Sequence, residues 1–210
     1  MARWQTCGMI ALIFIIFVVS AGCIQSPVST NAGIPGATPT FTQITVGTTA
    51  AQTPAPVLVR LETTMGNITI ALDQDMPITA GNFETLVNKG FYNGVIFHRV
   101  INGFVIQGGD PTGTGRGGPG YTIPDEFTNH NKNVRGTVAM ANAGPNTGGS
   151  QFFINLVDNS LRPDFDTSYP VFGKLVEGMD VVDAIGKVPT SGDPDNRPLA
   201  NVTIIRAEML

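Results

Sequence analysis

At 210 residues the chain has room for one ordinary domain and an appendage, and two full domains would be cramped. Charged residues make up only 13% and the formal net charge is -4, so no basic field exists to gather nucleic acid. The 25 glycines and 15 prolines imply many turns, while a 42% hydrophobic content supplies a packed core and excludes a wholly disordered chain.

The N-terminus is read first. Arg3 precedes an uncharged run from Trp4 to Ile24, whose centre, Met9 to Val19, is almost wholly apolar and which closes on Ser20-Ala21-Gly22-Cys23. That is the layout of an export signal. Small residues before a cysteine resemble the lipobox of secreted lipoproteins, in which cleavage leaves a lipidated Cys23 as the first residue, although Ser20 stands where a large aliphatic residue is usual. The alternative is an uncleaved anchor, since about 20 apolar residues span a bilayer as a helix. Either outcome tethers residues 1–23 to a membrane and sets the rest at its outer, extracytoplasmic face.

Residues 24–56 shift to Thr, Ala, Pro, Gly and Ser without charge or periodicity and read as a disordered linker. The globular part, 57–210, contains no cysteine, so no disulfide or thiolate-metal framework holds it. His98 and His130 lack paired ligand spacing, which argues against a metal site. Asn67-Ile68-Thr69 and Asn201-Val202-Thr203 match N-glycosylation acceptors, a triplet that also arises by chance.

Within that part Val57, Val59 and Leu61, then Ile68, Ile70 and Leu72, alternate around Met65-Gly66-Asn67, which predicts a hairpin. Pro77 opens a helical stretch with Phe83, Leu86 and Val87 on one face, and Gly90 stops it. Short apolar runs follow at 95–100, 104–107, 137–141, 151–156, 171–175 and 202–207, with a second helix expected at 179–185. Eight short strands and two helices predict a mainly β fold, a closed eight-stranded antiparallel barrel, because closure removes exposed edges.

No nucleophile-elbow serine, reactive cysteine or histidine with a nucleophile to activate is present. Residues 113–118, Gly-Thr-Gly-Arg-Gly-Gly, satisfy a dinucleotide-binding pattern, but Pro119 and Tyr121 to Pro124 follow instead of a helix, so the stretch reads as a flexible or tightly turned loop. Two blocks rich in aromatic, amide and arginine residues stand out, 97–110 (FHRVINGFVIQGGD) and 140–154 (MANAGPNTGGSQFFI). Taken singly, Phe104 or Phe153 would be plain core and Arg99 a solvated strand residue. Their order in series changes that reading.

These blocks resemble the signatures of the cyclophilin-type peptidyl-prolyl cis/trans isomerases, and the likeness extends through Val171-Phe172-Gly173-Lys174 and 177–182. The resemblance implies an isomerase that twists X-Pro bonds without a cofactor. It implies Arg99 as the donor that polarises the twisted imide and Gln107 as the residue that bonds substrate backbone and steadies the arginine. Phe104, Val105 and Phe153 would form the proline pocket, Ala141, Asn142 and Gln151 the adjoining groove, and His98 and Tyr169 the rim. Leu161 falls where relatives carry an aromatic residue, followed by Arg162 and a few added residues at 163–168, which leaves the far wall open and implies weak binding of cyclosporin. Val105 replaces a common Met and loosens the pocket slightly. The expected partners are proline-containing unfolded or extended polypeptides, met by a monomer at the outer face of the membrane. A non-catalytic, tethered Pro-peptide-binding chaperone or scaffold is the alternative, and a solute-binding lipoprotein is disfavoured because alternating βα units are missing.

Overall fold

Alternating burial at Val59, Leu61, Ile68 and Ile70 arises where two antiparallel strands, β1 (Leu58–Thr63) and β2 (Gly66–Leu72), pair across a tight turn. The structure, a computed structural model, describes residues 55–210. The apolar run, Cys23 and nearly all of the linker lie outside the described residues. Among the described residues no helix is long and apolar enough to cross a membrane.

The remaining elements are α1 (Thr79–Asn88), β3 (Arg99–Ile101), β4 (Val105–Gly108), β5 (Thr137–Met140), β6 (Phe152–Asn155), α2 (Phe165–Ser168), β7 (Val171–Glu177), α3 (Met179–Ile185) and β8 (Ile204–Met209). One antiparallel sheet runs in the order β3-β4-β6-β5-β7-β2-β1-β8. It is an open half-barrel, which corrects the expected closed barrel. The run 95–100, expected as one strand, divides its hydrogen bonds. Residues 94–97 turn to β8 and the residues just before it: Gly94 N–H donates to the Ile204 carbonyl and Ile204 N–H to the Val95 carbonyl, each at 2.8 Å, Ile96 bridges to Thr203, and Phe97 N–H donates to the Val202 carbonyl at 2.9 Å. Only three residues are left for β3, whose outer edge is capped where Val100 N–H donates to Asn196 C=O at 2.8 Å. So short an edge strand offers little to a foreign chain, and closure is not needed to protect it. The described residues also carry three helices where two were expected, the extra one being the four-residue α2.

Helix α1 lays Phe83, Leu86 and Val87 on the main core. Phe83 has ring centroids of Tyr92, Phe172 and Phe152 at 4.9, 5.0 and 5.4 Å, the spacing at which aromatic pairs attract. Its first turn is capped from a distance, the Glu126 carboxylate accepting from Ile78 N–H at 3.0 Å and Thr79 N–H at 2.9 Å, which satisfies donors that a helix start otherwise leaves orphaned.

Successive strand residues face opposite sides of a sheet. Val100, Ile106, Val138, Met140, Phe152 and Ile154 therefore enter the main core, while Val105, Ala139 and Phe153 form a separate small cluster with Phe104, Ala141, Phe165, Tyr169 and Val171. Arg99 and Gln107 share the face of this second cluster by the same parity. The route from β4 to the next loop demands Gly109, at φ 89°, where a Cβ would collide with the Ser150 carbonyl.

Candidate active site

Strand register brings the first group together. Arg99 on β3 lies directly opposite Gln107 on β4, and Gln107 lies opposite Phe153 on β6. Arg99 Nη1 donates to Gln107 Oε1 at 3.4 Å, and Gln107 Nε2 donates to Gln151 Oε1 at 3.0 Å. Gln151 Nε2 in turn reaches the carbonyls of Gly115 and Gly117 at 3.1 and 2.9 Å. Among the described residues the guanidinium's side-chain hydrogen-bond partner is thus a neutral amide and not a carboxylate.

Beside it opens a recess of about 400 Å³. Phe104, Val105 and Phe153 supply much of its apolar surface, Arg99 and Gln107 one polar edge, and Ala141, Asn142, Phe165 and Tyr169 the remainder. Eight of the eleven residues expected around the pocket therefore meet in one place. Gln151 lies next door, in a groove of about 470 Å³ that shares Gln107, Ala141 and Asn142 with the recess and is roofed by the 115–119 loop. Asn142 uses its side chain internally, Nδ2 donating to the Ser168 carbonyl at 2.7 Å. Its backbone N–H and C=O have no partner among the described residues. They are available to an extended peptide.

The structure does not bring Leu161 or His98 to the recess. Leu161 is 86% exposed. The far wall is built by Phe165, which the sequence reading passed over as part of the added residues 163–168. Its ring lies 5.7 Å from Phe104, 5.8 Å from Phe153 and 4.8 Å from Tyr169. The only aromatic side chain in that added stretch was the available clue. A polar scaffold fixes α2 in place: the Asp166 carboxylate accepts from Asn133 N–H at 2.8 Å and Lys132 Nζ at 2.9 Å, and Val171 N–H donates to Asn131 Oδ1 at 2.6 Å. Burial pushes the Asp166 carboxyl up, but these donors outweigh it and hold it below the ordinary carboxylate range. Arg162 contacts the lining residue Phe104, its guanidinium 4.4 Å from the ring centre in a cation–π contact, and its Nε donates to Asn159 Oδ1 at 3.0 Å.

His98 is buried, and neither ring nitrogen has a partner. Burial lowers its pKa from the ordinary value, helped by Arg197 and Arg99 and opposed by Asp110.

The comparisons with known proteins agree with this geometry. The family model described as "Cyclophilin type peptidyl-prolyl cis-trans isomerase/CLD" matches residues 58–209. A peptidyl-prolyl cis-trans isomerase-like 1 of Neurospora crassa is 45% identical over 157 residues, covering 72% of this chain and 93% of the relative. A peptidyl-prolyl cis-trans isomerase-like 3 of Homo sapiens is 46% identical over 151 residues, covering 70% and 91%. A crystal structure of a cyclophilin-type peptidyl-prolyl cis-trans isomerase from Cryptosporidium parvum superposes with a TM-score of 0.67 at 36% identity, covering 74% of this chain and 98% of that one. A second crystal structure of that protein, in the presence of the dipeptide Ala-Pro, gives 0.66 at 38% identity, covering 73% and 98%.

Two predictions follow from the wall and from the buried imidazole. Phe165→Ala should weaken the dissociation constant for a short Pro peptide about tenfold, the loss of one aromatic wall at roughly 1.5 kcal/mol, whereas Leu161→Ala should change it less than about twofold; titration calorimetry on both variants checks this, and equal effects would remove Phe165 from the site. A histidine whose folded pKa lies below its unfolded value, about 6.5, is held neutral by the fold, so its contribution to stability is complete above that pH and declines as the pH falls below it. Thermal midpoints should therefore drop between pH 7.5 and 5.5 in the wild type and drop less in His98→Gln. The same decline in both would show that His98 is not the group responsible.

Proposed function

From the premise that this chain belongs to the cyclophilin-type peptidyl-prolyl cis-trans isomerase family, we propose that the isomerase acts through Arg99 on prolines seated in the recess formed by Phe104, Val105, Phe153 and Phe165, and that its clients are exported proteins folding at the outer face of a membrane. The observation that carries the first half is the arginine, tied by Gln107 at the edge of an apolar recess.

Rotation about a peptide bond is opposed by amide resonance, a barrier of about 18–20 kcal/mol. At X-Pro both planar isomers are accessible, so the catalyst has only to favour the twisted state between them. In that state the nitrogen lone pair has left conjugation and accepts a hydrogen bond, which the planar imide nitrogen does not. A guanidinium aimed at that nitrogen therefore binds the twisted state better than either ground state, the condition for acceleration. No proton leaves the arginine and no bond is made or broken.

The proline ring is held by apolar contact, worth roughly 1.5–3 kcal/mol when fully buried. Flanking backbone is held by the unpaired N–H and C=O of Asn142 in the manner of an added strand. Rotation then turns one side of the imide against a fixed ring. Ala-Pro, in whose presence the Cryptosporidium relative was crystallised, carries the minimal X-Pro unit, and extended or unfolded proline-containing segments are the substrates proposed for this chain. The enzyme works as a monomer.

The export half of the proposal rests on the N-terminal sequence. An apolar run ending in Ser20-Ala21-Gly22-Cys23 directs the domain across a membrane and leaves it tethered by a lipid on Cys23 or by the uncleaved run. Slow X-Pro isomerisation limits folding on a scale of tens of seconds, so a tethered isomerase would meet chains as they emerge.

In a protease-coupled assay on a short X-Pro peptide, the wild type should accelerate isomerisation and Arg99→Ala should lose about 10²–10³-fold in kcat/KM, the usual cost of removing one preorganised donor. An unaffected Arg99→Ala would overturn the mechanism, and an inactive wild type that still binds the peptide would favour the non-catalytic chaperone. Mass spectrometry of the mature N-terminus tests the tether. A lipidated Cys23 or a retained apolar run is expected, and a soluble chain beginning after Cys23 would refute it.

A further inference from the structure

Asp110 has no assigned part in the site, yet it is wholly buried and carries a charge. Its carboxylate is the hub of the 113–117 loop. Oδ1 accepts from Thr112 N–H at 2.7 Å and Thr112 Oγ1 at 2.8 Å. Oδ2 accepts from Thr114 N–H at 3.0 Å, Gly115 N–H at 2.6 Å, Gly117 N–H at 3.1 Å and Thr114 Oγ1 at 3.3 Å. Burial raises its pKa, and these donors more than reverse the shift, so the group stays ionised far below neutrality. Any side chain at Gly117 would run into the carboxylate, so the loop is wrapped on the charge as closely as backbone allows.

The carbonyls that this wrapping turns outward, those of Gly115 and Gly117, are the two that receive Gln151 Nε2. From there the contacts pass through Gln107 to the Arg99 guanidinium. We infer that Asp110 is a positioning residue for Arg99: by fixing the Gly115 and Gly117 carbonyls it sets the rotamer of Gln151, which orients Gln107 and hence the arginine. Neither amide is self-locating, since each has free torsions and can flip its oxygen and nitrogen. Only the loop carbonyls, pure acceptors, force Gln151 to present nitrogen on one side and oxygen to Gln107 on the other. Gln107 must then give its own nitrogen to Gln151 and keep its oxygen for Arg99. Polarity is thus transmitted along the series from a fixed negative charge to a mobile positive one.

The inference rests on the isomerase reading above, and the test separates the two. Asp110→Asn converts one acceptor oxygen to a donor amide. It should lower kcat about 10- to 100-fold, as expected of a reacting group misplaced by remote loosening, while the dissociation constant for a Pro peptide moves less than about twofold. Gln151→Met should lower kcat similarly, and Asp110→Asn added to Gln151→Met should cost almost nothing more, because both act through one contact series. Multiplicative losses, or a wild-type kcat in Asp110→Asn, would overturn the inference. Should Asp110→Asn fail to fold, the double variant Thr112→Val/Thr114→Val, at exposed positions, loosens the same carboxylate and must show the same kcat loss and the same masking by Gln151→Met. Nitrogen-15 relaxation of the Arg99 Nε–H gives a readout independent of turnover: ordered in the wild type, mobile in Asp110→Asn or the threonine variant. An arginine equally ordered in all of them sinks the inference even if the wild type isomerises nothing.

Discussion

A β-ladder decides which side chains are neighbours before any of them has a task. Once β3, β4 and β6 pair in the observed register, Arg99, Gln107 and Phe153 stand abreast on one face, and Val100, Ile106 and Phe152 stand on the other, inside the main core. The core side supplies the energy that fixes the register, since slipping by one residue would expose those side chains and bury the arginine. The site is therefore a by-product of burying the opposite face. Its geometry is as rigid as the core because the same hydrogen bonds set both.

The loops that complete the site have no ladder to lean on, and buried polar groups replace it. Asp110 gathers the 112–117 turn. The asparagines 131, 133, 155 and 159 form a second network, with Asn155 Nδ2 donating to Asn133 Oδ1 at 3.1 Å and Asn159 Nδ2 to Asn155 Oδ1 at 2.8 Å, which carries Asp166 and so Phe165. Groups of this kind are costly when left unpaired and rigid when fully satisfied. Each network serves one wall: the carboxylate hub the polar side of the recess, the asparagine series its aromatic far side.

What the sequence made legible follows the same division. Alternation and the 3.6-residue period located the first hairpin, α1 and α3, because those elements are dictated by a buried face that periodicity records directly. The expectation of a closed barrel took the run 95–100 as one continuous strand, although His98 and Arg99 interrupt its apolar residues. Nothing in its composition reveals that its first half bonds to the start of β8 and to the residues before it, and its second half to β4. Leu161 was expected near the wall from its place in the series of residues, yet the added residues 163–168 move the aromatic position along the chain to Phe165. Asp110 was quoted in the block but given no part, since a carboxylate satisfied by backbone N–H groups leaves no charged partner in the sequence to betray it.

The choice of amides around Arg99 is itself informative. A carboxylate in place of Gln107 would hold the guanidinium with a stronger, charge-assisted bond, and an arginine in need of nothing but a fixed rotamer would be better served by it. Such a partner would also cancel the positive potential at the recess, at a position where low dielectric magnifies every charge. A neutral oxygen at 3.4 Å orients the cation and leaves its field to fall on whatever occupies the recess. The negative charge that ultimately fixes the series is placed two amide side chains and a loop away, and six donors surround it. A site that works by polarising a single nitrogen needs that separation between the charge that anchors and the charge that acts.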